Sequence, residues 1–577
     1  MNTVILQTFG AWWRFAQPLE VVIARQPGEV MAALLAVETA VTHHNLYAAG
    51  FLSYEASAAF GLACHSSQPH DPPLLWFGLY RQPQVIAPPQ PPTAANYRLG
   101  DWQASVTESQ YHDAIKRIKA YIAAGHTYQV NYTFPLHADF SGDAWALFAQ
   151  LSQAQQAAYT AYVDMGSHAI CSASPELFFT LDGAELCSKP MKGTAVRGHT
   201  LSEDKANIAW LHQSPKNRAE NVMIVDMIRN DMGRIADIGS VAVPRLFEVE
   251  RYPTVLQMTS TVTARSRASF SEIIAAMFPC ASITGAPKHR TMQIIQELEA
   301  GPRGVYTGAI GVLAPDRRAQ FNVAIRTVTV DRQRGRAVYG VGGGIVWDSQ
   351  AAEEWAECAA KSEVLRRQRP SFHLLETLRC TPDGGCDLLN EHLARLADSA
   401  EYFGFAADLP AIRHRLAQLA ASLTGPAKVR LLLAEDGAIT LETAPLPETA
   451  VQPRRVALAA APVDSSNIWL YHKTTRREVY AAAHAACPHC DDVLLWNERG
   501  ELTEATIANV VLELDGELVT PPIEAGLLAG TLRGVLVGNG RIHERPIPLK
   551  HLRRASKIWL INSVRGWQEA QLVKISD

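Results

Sequence analysis

The sequence has no surplus of basic residues. Its 577 residues include 53 lysines and arginines against 57 aspartates and glutamates, which gives a formal net charge of −4. Nucleic acids and anionic membranes attract basic surfaces, so this balance argues against both as partners. No apolar run reaches the length of a membrane-spanning helix, and the first residues lack the basic start and cleavage site of a secretory signal. A small dissolved substrate is therefore favoured.

Cysteines are few, and they show no disulfide pattern. There are nine, an odd number, scattered without framework spacing. This distribution predicts reduced thiols in a cytoplasmic enzyme. Cys487 and Cys490 have the CxxC spacing of zinc sites, but structural zinc needs a second pair of ligands and none is evident. We therefore predict free thiols in that loop.

The length predicts more than one domain, because a chain of this size exceeds an ordinary single core. A proline-rich stretch at 86–97 indicates a loop, and a helical pattern at 113–125 is followed by a strand pattern at 127–134. A strong helix former at 351–368 ends before Pro370, after which new strand patterns begin. We therefore predict two α/β or α+β domains, residues 1–369 and 370–577.

Several segments of the first domain resemble one enzyme family in sequence and in order. They resemble the chorismate-binding enzymes, which include anthranilate, aminodeoxychorismate, isochorismate and salicylate synthases. This resemblance implies sheets packed face to face with flanking helices. The segments are YIAAGHTYQVNYT, SPELFFTLDGAELCSKPMKGTAVRG, ENVMIVDMIRNDMGRIADIGSV, FPCASITGAPKHRTMQIIQELE, RGVYTGAIG, FNVAIRTVTV and YGVGGGIVWDSQAAEEWAECAAK.

The family's substrate, chorismate, is a dicarboxylate whose hydroxyl must leave, so its site needs a cation, carboxylate donors and an acid. The resemblance assigns Glu220 and Glu357 to Mg²⁺, which prefers oxygen ligands. Taken alone, Glu357 lies one helical turn from Lys361, as on any solvated helix face. The glycine run at 340–344 could likewise be a simple turn. The resemblance assigns the remaining substrate contacts to Gln129, Thr194, Tyr306, Arg326, Gly342, Gly343 and Lys361.

Two positions decide which member of the family the sequence resembles. Position 129 is Gln, where isochorismate and salicylate synthases carry a lysine base that activates water. Position 192 is Lys, which marks aminodeoxychorismate synthases, and a lysine in a closed pocket can lose its proton and act as a nucleophile. By resemblance, Lys192 attacks ring carbon C2 while Glu176 protonates the departing C4 hydroxyl. Gln257 departs from the family, since many members carry His there.

The second domain resembles the fold-type IV pyridoxal-phosphate enzymes, a group of transaminases and aminodeoxychorismate lyase, and this implies a smaller, two-lobed domain. The segments are HLLETLRC, NEHLARLADSAEYFGF, WLYHKTTRREVY, LWNERGELTEATIANVV and PPIEAGLLAGTLRGVL. By resemblance, Lys473 bonds to the cofactor aldehyde and Glu504 faces the pyridinium nitrogen. Arg395, Thr506 and Thr531 bind the phosphate.

Together the two resemblances imply an enzyme that makes 4-aminobenzoate from chorismate and ammonia and releases pyruvate. We find no glutamine-amidotransferase signature, so a separate glutaminase subunit is the expected source of ammonia. Three alternatives stay open: an anthranilate synthase in the first domain, and a transaminase or a non-catalytic interaction module in the second. A homodimer through the second domain is also open.

Overall fold

The computed structural model describes residues 2–92, 96–365, 370–446 and 452–573. The chain divides into two compact units: the first comprises Met1–Val196 and Ile208–Arg369, and the second comprises Arg197–Asn207 and Pro370–Asp577. The sequence boundary at 369 lies outside the described residues, as do residues 93–95 of the proline-rich loop. A mixed helix and sheet fold in both parts of the chain confirms the predicted class.

Strands dominate the first unit. Two antiparallel sheets are formed, one in the order β17-β9-β21-β20-β11-β10-β1-β2-β6 and one in the order β14-β16-β13-β12-β19-β18-β4-β5-β3. In chain order the strands are β1 (Thr3–Thr8), β2 (Ala11–Phe15), β3 (Glu20–Ala24), β4 (Tyr47–Leu52), β5 (Leu75–Tyr80), β6 (Gln84–Ile86), β7 (Tyr97–Leu99), β8 (Gln103–Ala104), β9 (Gln129–Gly142), β10 (Tyr159–Asp164), β11 (His168–Ser174), β12 (Leu177–Asp182), β13 (Glu185–Lys189), β14 (Met191–Val196), β15 (Ala242–Arg251), β16 (Val255–Arg265), β17 (Gly285–Ala286), β18 (Ala309–Ala314), β19 (Arg318–Val323), β20 (Thr327–Asp331) and β21 (Arg336–Ile345).

Helices flank the sheets. In chain order they are α1 (Pro27–His44), α2 (Glu108–Ala123), α3 (Ala144–Gln155), α4 (Leu201–Gln213), α5 (Pro215–Gly233), α6 (Phe270–Met277), α7 (Lys288–Leu298), α8 (Ala351–Ser362), α9 (Leu389–Phe403), α10 (Leu409–Ser422), α11 (Glu478–Ala485), α12 (Thr531–Gly538) and α13 (Leu549–Leu552). The predicted helix at 113–125 is part of α2, which begins at a Thr107 capping box and is followed by Gly125 with φ 73°. Glycine suits that position because it has no Cβ to clash there.

The core of the first unit has three layers of apolar contacts. Between the two sheets, residues such as Val4, Phe51 and Ile310 form one buried cluster, which places the sheets face to face. On the outer face of one sheet, α2, α3 and α8 pack over β9 and β21. On the outer face of the other sheet, α1, α5 and α6 cover the strands. This burial holds in place the strand ends and helices that carry the motifs quoted above.

The second unit contains two smaller sheets, each with buried apolar clusters of its own. One has the order β23-β22-β24-β25, and the other has the order β28-β27-β26-β33-β32-β29-β30-β31. The strands are β22 (Leu374–Thr381), β23 (Gly385–Cys386), β24 (Ala427–Leu433), β25 (Ile439–Pro445), β26 (Arg454–Leu458), β27 (Asp492–Trp496), β28 (Leu502–Ala505), β29 (Asn509–Leu514), β30 (Glu517–Thr520), β31 (His543–Glu544), β32 (Lys557–Asn562) and β33 (Gly566–Leu572).

A segment from the first half of the sequence, Arg197–Asn207, is part of the second unit. The hydroxyl of Tyr402 donates to the carbonyl oxygen of Gly198 over 2.7 Å. His472 Nε2 donates to the carbonyl oxygen of His199 over 3.0 Å, which fixes the residue before Lys473. Burial lowers the pKa of His472 to about 4, so this ring stays neutral at physiological pH.

One pair of cysteines corrects the expectation of reduced thiols. Cys380 and Cys386 are joined by a disulfide, with their Cα atoms 4.0 Å apart. The two residues are direct partners in the pairing of β22 with β23, which sets them side by side. This disulfide depends on how the turn pairs the two strands. The number of cysteines in the sequence does not reveal it. Cys487 and Cys490 are free cysteines that form no disulfide within the described residues.

No helix within the described residues is long and apolar enough to cross a membrane.

The pairing of β9 with β21 predicts unequal effects of two neighbouring glycines. A methyl group at Gly342 would lie 2.2 Å from the backbone oxygen of Tyr132, whereas one at Gly343 would lie 3.0 Å from the movable carboxylate of Glu354. We expect Gly342→Ala to lower the free energy of unfolding of the first unit by about 1–3 kcal/mol, measured by urea denaturation. The control, Gly343→Ala, should cost less than about 1 kcal/mol. Equal losses in the two variants would contradict this account.

Candidate active sites

The first unit contains a cavity of about 520 Å³, here called the first cavity, between β14, α5, β21 and α8. Most of the predicted site residues of the first domain line it. These are Glu176, Lys192, Thr194, Glu220, Tyr306, Arg326, Gly342, Gly343, Glu357 and Lys361. Residues from seven separate sequence segments therefore meet in one place.

Lys192 is held in the wall of the first cavity by its backbone. The side-chain amide of Asn221 on α5 donates to the Lys192 carbonyl oxygen over 3.0 Å, and Ser260 donates to Asn221 over 2.6 Å. The Lys192 ammonium nitrogen lies 3.4 Å from a carboxylate oxygen of Glu220, and about a fifth of the lysine side chain is exposed. The lysine is thus oriented toward the cavity and is adjacent to an acidic side chain.

Gln129, which we predicted at the site, does not line the first cavity but lies directly behind Gly344, which does. The side chain is fully buried, and both of its amide atoms lack a hydrogen-bond partner among the residues that the structure describes. A methyl group added at Gly344 would lie 2.9 Å from Gln129 Nε2 and 2.7 Å from Lys192 Nζ. A buried amide without partners costs free energy, so a ligand or water is expected to satisfy it.

Glu176 is a buried carboxyl group that lines the first cavity. The residue is 3% exposed, and burial raises the pKa of its carboxyl group to about 7, against the opposing effects of Ser282, the Met191 amide and Lys192. Its Oε1 atom has no hydrogen-bond partner among the described residues. At neutral pH a large share of this group is therefore protonated and able to donate a proton.

Helix α8 forms the opposite wall of the first cavity. The Lys361 ammonium nitrogen is 2.8 Å from Glu357 and donates to the carbonyl oxygen of Gly342 over 2.8 Å. Arg326 donates to the Lys361 carbonyl oxygen over 2.9 Å, so these two cations are held side by side. Glu354 accepts from Ser349 over 2.7 Å on the same helix face. This wall therefore combines two cationic side chains, one of them paired with Glu357, beside the carboxyl group of Glu354.

Tyr306 and Gly340 fit each other at the edge of the first cavity. A methyl group at Gly340 would lie 2.1 Å from the ring of Tyr306, so the absent side chain makes room for the aromatic ring. Burial raises the pKa of the Tyr306 phenol, which therefore stays protonated. A protonated phenol can donate a hydrogen bond to a carboxylate.

Gln257, the departure from the family pattern, braces the strand that carries Lys192. Its side-chain nitrogen donates to the carbonyl oxygen of Gly193 over 2.9 Å, and its oxygen accepts from the hydroxyl of Thr194 over 3.0 Å. Gln257 thus holds the two residues that follow Lys192. A glutamine can do this from one side chain because it has both a donor and an acceptor.

The second unit contains a narrow cavity of about 60 Å³, here called the second cavity. Every predicted cofactor residue lines it, namely Arg395, Lys473, Glu504, Thr506 and Thr531. The hydroxyl of Thr506 donates to Asp492 over 2.5 Å, so its proton is already used within the protein. The hydroxyl of Thr531, at the start of α12, is the remaining threonine donor of this set.

Burial changes the two titrating groups of the second cavity in opposite directions. It lowers the pKa of the Lys473 amine to about 8, assisted by Arg395. It raises the pKa of the Glu504 carboxyl to about 8, although Tyr480 donates to this group over 2.7 Å. A buried carboxyl with a raised pKa would be stabilised in its charged form by a cation placed beside it.

Sequence reasoning missed several residues of the two cavities. Ser282 acts on Glu176, and Ser563 and Arg477 line the second cavity. No local pattern distinguishes these residues from ordinary surface side chains. The sequence shows Glu354 only as a charged residue one helical turn from Glu357. Its place in the lining of the first cavity depends on how α8 packs against the sheet.

Sequence comparison gives the two parts of the chain separate relatives. Residues 7–367 match the chorismate binding enzyme family, and residues 373–573 match the amino-transferase class IV family. The chain is 42% identical over 270 residues to aminodeoxychorismate synthase component 1 of Escherichia coli (strain K12), covering 46% of this chain and 59% of that protein. It is 47% identical over 249 residues to aminodeoxychorismate synthase of Streptomyces griseus, covering 43% of this chain and 34% of that protein.

The chain thus spans about six tenths or less of the length of these curated relatives. Among solved structures, anthranilate synthase component I from Streptococcus pneumoniae TIGR4 matches with a TM-score of 0.53 at 24% identity, covering 63% of this chain and 90% of that one. A likeness at this identity shows a common fold. The match to the chorismate-binding enzymes extends over more than half of this chain, so the chain belongs to that family. Its C-terminal part adds a class IV aminotransferase region.

Proposed function

We propose that the chain makes 4-aminobenzoate in two steps. The first unit converts chorismate and ammonia to 4-amino-4-deoxychorismate, and the second unit removes pyruvate from that intermediate. The observation that carries the proposal is that Lys192 and the buried acid Glu176 line one cavity, with Gln129 directly behind Gly344 in its wall. A lysine base at position 129 would favour water as the nucleophile, whereas glutamine at 129 and lysine at 192 favour an amine.

In the first step, the chain's own residues supply both the nucleophile and the acid. The amine of Lys192 forms a bond to ring carbon C2, both ring double bonds shift by one position, and the bond from C4 to oxygen breaks. Glu176 gives its proton to the departing hydroxyl, which leaves as water. Ammonia then forms a bond at C4, the C2–nitrogen bond breaks, and Lys192 is released as an amine. Lys361, Arg326 and the Tyr306 phenol bind the substrate carboxylates.

The acidic residues of the first cavity suit Mg²⁺ only together with substrate oxygens. No group of three or more His, Cys, Asp or Glu in the described ranges could hold a metal by itself. Glu220 and Glu357 nevertheless line the cavity, and Mg²⁺ is commonly bound by one or two carboxylates plus substrate and water. We propose that these two residues hold the ion, which would supply positive charge near a substrate carboxylate.

The donor set of the second cavity suits pyridoxal phosphate. Lys473 presents an amine that is partly unprotonated near neutral pH, and Glu504 is a buried carboxyl whose pKa is raised by burial although Arg477 and Arg533 act against the shift. Arg395 and Thr531 supply donors for a phosphate at the start of α12. When bound, the cofactor supplies an electron sink for the charge left by proton removal. Lys473 removes that proton, and Glu504 holds the proton of the ring nitrogen.

A glutaminase subunit is the proposed source of ammonia, because the sequence contains no amidotransferase signature. We also propose a cytoplasmic location for the reaction: seven cysteines of the described residues are free, and the Cys380–Cys386 disulfide joins two directly paired neighbours of one sheet.

Removing each lysine should stop a different step. With chorismate, ammonium, Mg²⁺ and pyridoxal phosphate present, Lys192→Ala should lower the rate of chorismate consumption by about a hundredfold or more. Lys473→Ala should consume chorismate normally but accumulate 4-amino-4-deoxychorismate without pyruvate. Products are identified by chromatography and mass. Lys116→Ala, an exposed lysine on α2, serves as the control and should behave like the wild type.

Other products would reject the proposal. Anthranilate from the wild-type chain would make the first unit an anthranilate synthase. If Lys473→Ala still released pyruvate and 4-aminobenzoate, the second unit would not be the lyase. A second unit that transfers amino groups between amino acids, without acting on the intermediate, would identify it as a transaminase.

The rate of the first step should depend on the protonation of Glu176. An acid with a pKa of about 7 is lost as pH rises through 7, so kcat/KM for chorismate, corrected for the free ammonia concentration, should fall above that pH. Glu176→Gln should be about a hundredfold slower and lose this dependence, while Glu176→Asp should keep a pH-dependent rate. A flat profile in the wild type would exclude Glu176 as the acid.

Glutamine should not replace ammonium for the isolated chain. We expect no product from chorismate and glutamine, and full recovery when a purified glutaminase component is added. Product formation from glutamine by the pure chain alone would show that the partner is not needed.

A further inference from the structure

A buried histidine, His392, lies behind the wall of the second cavity without lining it. The residue is 1% exposed and is part of α9. Its Nδ1 atom is 2.6 Å from a carboxylate oxygen of Glu376, and its Nε2 atom is 3.0 Å from the hydroxyl of Ser563. The hydroxyl of Thr531 is 3.4 Å from the same Nε2 atom. Ser563 and Thr531 both line the cavity, so His392 connects them to a buried carboxylate.

The charges around His392 determine where its proton lies. Arg395 and His392 hold the pKa of Glu376 well below its ordinary value, despite burial that would raise it, so Glu376 is ionised and can only accept. Burial lowers the pKa of His392, so the ring is neutral near pH 7. The single ring proton is therefore on Nδ1, where it is donated to Glu376. Nε2 is left as an acceptor.

Nε2 has one lone pair, so it accepts well from only one hydroxyl. Ser563 is the closer donor, at 3.0 Å against 3.4 Å for Thr531. When the Ser563 hydroxyl donates its hydrogen bond to His392, the hydroxyl proton of Thr531 is free to point into the second cavity. Thr531 is the first residue of α12, where backbone N–H groups also face outward.

Glu376 performs a second task on the same wall. Its carboxylate accepts from Arg395 Nε over 2.9 Å and from Nη2 over 2.6 Å, and Arg395 Nη1 donates to the carbonyl oxygen of Ala529 over 3.0 Å. The guanidinium is thus fixed in one orientation at the cavity. The His392–Glu376 pair therefore sets the positions of three donors that line it, namely Arg395, Ser563 and Thr531.

We propose that His392 is a positioning residue for the phosphoryl group of a ligand in the second cavity. Its Nε2 atom accepts the hydrogen bond of Ser563 so that Thr531 donates to the anion, and through Glu376 it helps to fix Arg395. This inference rests on the proposed function, because the phosphoryl group concerned is that of pyridoxal phosphate.

Equilibrium binding to the full chain tests the proposal, with pyridoxal phosphate and pyridoxal as matched ligands that differ only in the phosphate. Isothermal titration gives the Kd of each. We expect His392→Phe to weaken pyridoxal phosphate about tenfold or more and to change pyridoxal less than about twofold. His392→Asn, whose amide can still donate to Glu376, should lose less than His392→Phe.

Ser563→Ala provides a second test that does not alter the buried ring. Without Ser563, the Thr531 proton turns to His392, so pyridoxal phosphate should bind several-fold more weakly even though Thr531 is intact. Adding Thr531→Val to Ser563→Ala should then cause little further loss, whereas independent contacts would give additive losses.

The outcomes separate the inference from the function. If the wild-type chain binds neither ligand, the proposed cofactor is wrong. If it binds pyridoxal phosphate but His392→Phe and Ser563→Ala bind it as tightly, or if both ligands weaken equally in either variant, the positioning role is overturned. Circular dichroism and thermal unfolding show whether each variant is folded. If His392→Phe is not folded, the binding data for Ser563→Ala decide the question.

Discussion

The close approach of two backbones, β9 and β21, determines the first cavity. Across their antiparallel pairing, a side chain on Gly342 would collide with the backbone of β9, and one on Gly340 would collide with Tyr306. One on Gly344 would fill the space between Lys192 and Gln129. Each missing side chain therefore has a different steric cause. The glycine run is needed because protein backbone, an aromatic ring and two polar groups occupy the volume that side chains would take.

Both proposed reactions use burial to adjust acids and bases toward neutral pH. Removal from water disfavours the charged form, so the carboxyl of Glu176 and the amine of Lys473 are shifted in opposite directions toward pH 7–8. The first serves as a proton donor and the second as a base. Two unrelated folds thus reach the same result through the same physical effect, and ion pairs in the walls hold the remaining charges in place.

The sequence could predict the site residues that recur at fixed positions in motifs, because their chemistry restricts the residue type. Lys192, Glu176 and Lys473 are of this kind. It could not predict the contacts of His392 with β22, with the residue that follows β32 and with the start of α12, or the bracing of β14 by Gln257. Nor could it show that Arg197–Asn207 is part of the second unit. These features depend on tertiary contacts between distant residues, which leave no local periodicity.

The central claim is that two catalytic lysines in one chain act in series on the same carbon skeleton. The most direct measurement is a quenched-flow time course with chorismate and ¹⁵N-labelled ammonium, analysed by mass. The account predicts labelled 4-amino-4-deoxychorismate that rises and then decays, followed by labelled 4-aminobenzoate and pyruvate in equal amounts. Labelled anthranilate, or an intermediate that accumulates without forming pyruvate in the presence of pyridoxal phosphate, would contradict it.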